Sequence, residues 1–156
     1  ITWVETEALA DFNRPLELRP DYPATLNNRG VALGKLARNE EALIDFNRSL
    51  YLPPDDRDTV MNRGNTLDQL VRYVEALKDD NCALELQPDA SDTLMNHGIT
   101  LANFGRCDEA FSVYCRSLEL RRDDPDTLYN VAGAHSKTGQ CRESLQWLPR
   151  PIAGDP

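Results

Sequence analysis

Apolar and polar positions along the chain recur every 34 residues, and this periodicity outweighs every other signal in the sequence. Segments beginning at Asp21, Asp55, Asp89 and Asp123 align without gaps, and residues 1–20 match the second half of the same unit. Half a unit and four whole units account for all 156 residues. A fixed period of this length is the mark of a repeat architecture in which neighbouring units supply each other's core. Each unit reads as two helices. The first carries a stripe at helical spacing, Leu26, Arg29–Gly30 and Leu33 in one copy and Leu94, Gly98 and Leu101 in another. The second carries Ala42, Leu43, Phe46, Ser49 and Leu50, echoed by Ala110, Phe111, Tyr114, Ser117 and Leu118. A short polar break such as Gly105–Arg106 separates the two, and Asp56 stands where an N-cap belongs.

Two columns hold small residues: Gly30, Gly64, Gly98 and Ala132 on the first helix, and Ala8, Ala42, Ala76, Ala110 and Ser144 on the second. Side chains this small let two helix axes approach closely within a hairpin. Phe12, Phe46 and Tyr114 fill the adjoining space. The pattern breaks in places. Asp80 stands in the aromatic column and is expected at a partly exposed site near Arg72 or Lys78, because an unpaired buried carboxylate is costly. Pro15 and Pro151 stand in a small column of the second helix, predicting a kink or late start at Pro15 and a last helix that stops near Leu148. His135 replaces a leucine and is expected at the edge of the core.

A 34-residue unit with a small residue near its eighth position, alanine near its twentieth, an aromatic four later and proline near its end resembles the tetratricopeptide repeat family. The resemblance covers the whole chain. It implies an all-α, right-handed α-solenoid of helix-turn-helix repeats, read here as one superhelical domain over 1–156: a half repeat at 1–20 and repeats at 21–54, 55–88, 89–122 and 123–156. It also implies a concave groove, lined by the first helices, that holds an extended peptide or a segment of a partner protein.

Within that frame Asn28, Asn62, Asn96 and Asn130 recur at one place, two residues before the small column, and look like the family's asparagine ladder. An amide offers a donor and an acceptor and so matches a peptide group without reading its side chain. The alternative is that these amides bond a neighbouring helix. Flanking groove positions hold Asn27, Met61, Met95 and Tyr129, and one turn later Val31, Asn65, Ile99 and Gly133. The methionines and tyrosine form an adaptable apolar strip, or else an inter-repeat contact. Asp58, Asp92 and Asp126 recur near the start of the first helix, where the helix dipole favours them. Family clamps for a terminal carboxylate use Lys or Arg on this face. Here only Lys35 and Lys137 occur, further along, so such a clamp is not expected.

Charge and composition narrow the partners. A formal net charge of −9 argues against nucleic acid, which needs clustered Lys and Arg, and favours neutral or basic ligands. The sequence has no run of eighteen apolar residues to span a membrane. Cys82, Cys107, Cys115 and Cys141 match no zinc spacing and are expected as reduced thiols of a cytoplasmic protein. His97 and His135 pair with no nucleophile in any catalytic motif, and there is no glycine-rich phosphate loop. The expectation is a binding scaffold without enzymatic activity, metal or cofactor. Rival readings are a self-associating structural module and a regulatory arm of a larger protein. The chain opens in mid-pattern and lacks polar capping helices, so it reads as a piece of a longer array with ends able to associate.

Overall fold

The structure, a computed structural model, describes residues 3–52, 56–121, 125 and 127–129, with the side chains of residues 3–8 left aside. Expectations for Ala8, Asp126, Asn130, Ala132, Gly133, His135, Lys137, Cys141, Ser144 and residues 148–151 lie outside the positions so described. The described residues form seven helices: α1 (Trp3–Leu18), α2 (Pro23–Lys35), α3 (Asn39–Tyr51), α4 (Arg57–Gln69), α5 (Tyr73–Leu86), α6 (Ser91–Asn103) and α7 (Cys107–Leu120). The starts of α2, α4 and α6 are 34 residues apart, as are those of α3, α5 and α7. The fold is an all-α solenoid of helical hairpins.

Helix boundaries follow from local chemistry. Pro23 begins α2, where its missing N–H costs no hydrogen bond. Asp56 caps α4, its carboxylate accepting from the Asp58 N–H and the Thr59 hydroxyl. Each first helix ends in a Schellman closure, with Arg38, Arg72 and Arg106 N–H bonded back to the Leu33, Leu67 and Leu101 carbonyls. The closure requires a left-handed residue, and Ala37, Val71 and Gly105 take it with φ of 57°, 63° and 88°. Only the third copy uses the residue suited to it. A β-branched side chain there costs about 1 kcal/mol. Val71→Gly is therefore expected to stabilise the chain by roughly that amount, raising Tm by a few degrees in a thermal melt. An unchanged or lower Tm would show that Val71, itself exposed, contributes packing that outweighs its backbone strain.

Three equivalent clusters form the core, each drawn from three consecutive helices. Leu9, Leu33, Ala42 and Phe46 join α1, α2 and α3. Leu43, Leu67 and Ala76 join α3, α4 and α5. Leu77, Leu101, Ala110 and Tyr114 join α5, α6 and α7. No hairpin closes a core by itself, which is why the units stack. The glycine column sets the spacing: a Cβ at Gly30 would lie 2.6 Å from the Phe46 ring, and one at Gly98 2.4 Å from the Tyr114 ring. The middle cluster lacks its ring, because Asp80 stands there.

The first helices pack on one another, α2 on α4 and α4 on α6, whereas no comparable packing joins α1, α3, α5 and α7 among the described residues. A two-layer stack whose layers differ in this way curves toward the touching layer. The inner wall is thus built by α2, α4 and α6.

The structure corrects several sequence expectations. α1 runs through Pro15 to Leu18 without a late start, because Pro15 lies on an exposed side and the Pro15 carbonyl still accepts from the Arg19 N–H. Arg29 is no member of an apolar stripe; it is half-buried and ion-paired. Asp80 is not partly exposed near Arg72 or Lys78. It is fully buried at 0% exposure against Gly64, while Arg72 turns away to Glu75.

Candidate functional site

The inner wall carries the residues that the repeat pattern singles out. Asn27 and Asn28 lie on α2, Met61, Asn62 and Asn65 on α4, and Met95 and Asn96 on α6. Asn28 is exposed, and Asn27, Met61, Asn62, Asn65, Met95 and Asn96 are half-buried. Tyr129 is 78% exposed in the helical residues that follow α7.

Two of the amides are bonded to each other. Asn62 Nδ2 donates to Asn27 Oδ1 at 3.1 Å, joining α4 to α2. That contact uses neither the Asn62 side-chain oxygen nor the Asn27 amino group, so each amide keeps further hydrogen-bonding capacity. No hydrogen bond engages the side-chain amides of Asn28, Asn65 or Asn96 among the described residues. Met61 reaches across to α6, its sulfur 3.9 Å from the Thr93 hydroxyl, so it serves as an inter-repeat contact as well as a surface.

Polar contacts at both ends of the wall complete the row. Arg57, at the start of α4, binds Asp58 at 2.7 Å within its own helix and Asp92 of α6 at 3.1 Å. Burial alone would raise the Asp92 carboxyl, but the Arg57 guanidinium and the Thr93 N–H outweigh it and hold the group below the usual carboxylate range. At the other end, Asn103 Nδ2 donates to the Asp68 carboxylate at 3.0 Å. The wall therefore presents amide groups and thioethers between carboxylates, of which Asp58 and Asp92 share the single Arg57 cation and Asp68 accepts from the neutral Asn103 amide.

Behind the wall lies a second repeated motif that the apolar reading of the sequence missed. Arg29 binds Asp45 of α3 in bidentate fashion, at 2.6 and 2.7 Å, and donates to Asn13 of α1 at 2.9 Å. Arg63 repeats this with Asp79 of α5, at 2.7 Å twice, and Asn47 of α3, at 2.9 Å. Each arginine thus clamps its own hairpin to the preceding one. Asp45 and Asp79 are buried, at 2% and 6% exposure, whereas the side chains of Arg29 and Arg63 stay 25% and 27% exposed. The signal was present as a coincidence of columns, Arg29 with Arg63, Asp45 with Asp79, and Asn13 with Asn47, all 34 residues apart. A smaller motif recurs on the surface, where Arg38, Arg72 and Arg106 grip Glu41, Glu75 and Glu109 three residues on, lowering those carboxyls.

Other chemistry is absent from the described residues. Cys82, Cys107 and Cys115 are not joined in disulfides, and burial pushes the Cys115 thiol up. No group of three metal-ligating side chains converges there. No described helix is long and apolar enough to cross a membrane.

Comparison with known proteins agrees with this architecture. The profile of the tetratricopeptide repeat matches residues 23–56, the unit containing α2 and α3. No curated protein matches the sequence. Among solved structures, the chain is similar to YrrB, described as a TPR protein with an unusual peptide-binding site. The two are 24% identical with a TM-score of 0.73, over 91% of this chain and 73% of that one. It is similar also to a tetratricopeptide repeat protein from Parabacteroides merdae, at 22% identity and a TM-score of 0.82, over 91% of this chain. The chain covers only 56% of that structure, little more than half its length. A third is the first TPR of Spaghetti (RPAP3) bound to the HSP90 peptide SRMEEVD, at 19% identity and a TM-score of 0.68, over 74% of this chain and 91% of that one. Likenesses at this level of identity establish a shared fold.

Proposed function

We propose that this chain is a tetratricopeptide-repeat protein whose inner wall binds an extended, neutral or basic segment of another protein. The observation that carries this is the row of side-chain amides on α2, α4 and α6, on the face toward which the stack curves. Asn28, Asn62, Asn65 and Asn96 offer donors and acceptors at successive repeats, a spacing suited to an extended backbone. Asn27, Met61, Met95 and Tyr129 flank them with adaptable surface. We extend the same wall to Asn130, one repeat beyond Asn96. Two proteins of like fold, one described as having a peptide-binding site and one bound to a peptide, support a peptide as the occupant. The charge differs, however. SRMEEVD is rich in carboxylates, whereas this wall carries Asp58, Asp68 and Asp92 and would repel them.

The role is binding and not catalysis. His97 lies against Asp80 at 3.6 Å with its side chain only 12% exposed, which supports reading the wall as a binding surface.

A peptide-library pull-down with the unaltered chain and with an Asn62→Ala, Asn96→Ala double variant tests the proposal. Each lost hydrogen bond is worth roughly 0.5–1.5 kcal/mol, so captured peptides are expected to bind about tenfold or more weakly. Circular dichroism of the variant checks that losing the Asn62–Asn27 bond leaves the stack folded. If the same peptides are recovered with the same affinities, the amides do not hold the ligand.

A further inference from the structure

We infer that the α5–α6 junction is the joint at which the stack opens, the α6–α7 hairpin coming away as one unit from the helices before it. The apolar contact is alike at the three junctions, since each core cluster takes one leucine from the preceding second helix: Leu9, Leu43 and Leu77. The polar groups are not alike. At the first two junctions Arg29 and Arg63 donate at 2.9 Å to Asn13 and Asn47 of the preceding second helix, and they bond both oxygens of the buried Asp45 and Asp79. The counterparts at the third are His97, Asn81 and Val113. What this junction encloses is Asp80 of α5, wholly buried, with its carboxylate 3.6 Å from His97 Nδ1 of α6. Both Asp80 oxygens and His97 Nδ1 are buried without a hydrogen-bond partner, a state that only Asn39 Oδ1 shares among the described residues.

A buried polar atom without a partner loses the hydrogen bond that water would give it, and regains it when water enters. Opening either earlier junction breaks an arginine–asparagine hydrogen bond. Opening the third breaks no bond of that kind and hydrates Asp80 and His97. The polar groups thus oppose separation at two junctions and favour it at one, against the same apolar resistance. The other contacts across the third junction lie toward the surface. Arg57 meets Asp92, whose side chain is 46% exposed, at 3.1 Å, and Asn103 meets Asp68 at 3.0 Å. Exposed pairs of this sort hold hairpins together weakly. The departing unit keeps its own core, because the Tyr114 ring of α7 lies against Gly98 of α6. Separation also divides the inner wall, since Met61 and Asn62 stay with α4 while Met95 and Asn96 leave with α6.

Native-state hydrogen exchange of the whole chain, read amide by amide by NMR at one pH, tests this for the unaltered chain, Asp80→Phe and Val71→Gly. In the unaltered chain the amides of α6 and α7 are expected to share one opening and to exchange about tenfold or more faster than the slowest amides of α4 and α5. Asp80→Phe removes the buried carboxylate and is expected to slow α6 and α7 by about tenfold or more. Val71→Gly acts inside the α4–α5 hairpin and is expected to leave the exchange of α6 and α7 unchanged. The joint is overturned if α6 and α7 exchange as slowly as α4 and α5, or if protection declines stepwise along them as in fraying from an end. It is overturned equally if Asp80→Phe leaves them unchanged, or if Val71→Gly slows them as much. Should Asp80→Phe not fold, Asp80→Asn, which removes the charge at nearly constant shape, decides: α6 and α7 are again expected to exchange more slowly, and an unaltered rate ends the proposal.

Discussion

Asp80→Phe is expected to melt at a higher temperature than the unaltered chain, by about 5–15 °C, corresponding to ~2–4 kcal/mol. Two effects act in the same direction. The substitution removes a buried carboxylate without a hydrogen-bond partner, the costliest kind of polar burial. It also restores the ring that the middle core cluster lacks, and burying a phenylalanine contributes about 1.5–3 kcal/mol by itself. Overpacking would oppose these gains, yet the site is shaped for a ring. The Phe46 ring lies against Gly30 and the Tyr114 ring against Gly98, and Gly64 occupies the same column opposite Asp80. Differential scanning calorimetry gives the answer directly. A melting point equal to or below that of the unaltered chain would mean that the carboxylate is better accommodated than its surroundings indicate.

Arg63→Ala is expected to destabilise the chain by about 3 kcal/mol, because it strands Asp79. That carboxylate's side chain is only 8% exposed and receives both its charge-assisted bonds from Arg63. The guanidinium in turn is held firmly protonated, chiefly through its bonds to Asp79. The loss therefore reflects an orphaned buried charge more than a missing attraction. Replacing both partners, as Arg63→Met with Asp79→Leu, is expected to recover most of the stability, since apolar groups of similar volume leave nothing unpaired. Chemical denaturation of the single and double variants distinguishes these outcomes. If the double variant is as unstable as the single one, the clamp contributes through its bond to Asn47 across the hairpins and not through Asp79. The surface pairs, by contrast, lie in water, and Arg72→Ala is expected to leave stability unchanged within error.

These expectations share a cause in the stacked design. Each core cluster draws only on three consecutive helices, so a change at one position acts on its own junction more than on the others. The array is consequently a row of joints, two with arginine clamps and one with the Asp80–His97 contact.

What the amino-acid order determined by itself is whatever depends on periodicity and local backbone chemistry. The 34-residue period, the two helices per unit, the N-cap at Asp56 and the small columns were all legible, because helix formation and hairpin packing impose one residue type at one phase in every copy. The placement of the asparagine column on the first helices was legible for the same reason. Only the tertiary structure decided which polar residues face inward. Arg29 read as part of an apolar stripe, and its role and that of Arg63 became visible only where Asp45 and Asp79 meet them from another helix. Asp80 read as a partly exposed residue near Arg72 or Lys78 because an unpaired carboxylate is assigned to water unless its partner is known, and His97 lies on the next repeat. Likewise Asn62 is bonded to Asn27 because helix stacking brings residues 35 apart together. A buried charge is tolerated or not according to its neighbours in space, and those neighbours are set by how the hairpins stack.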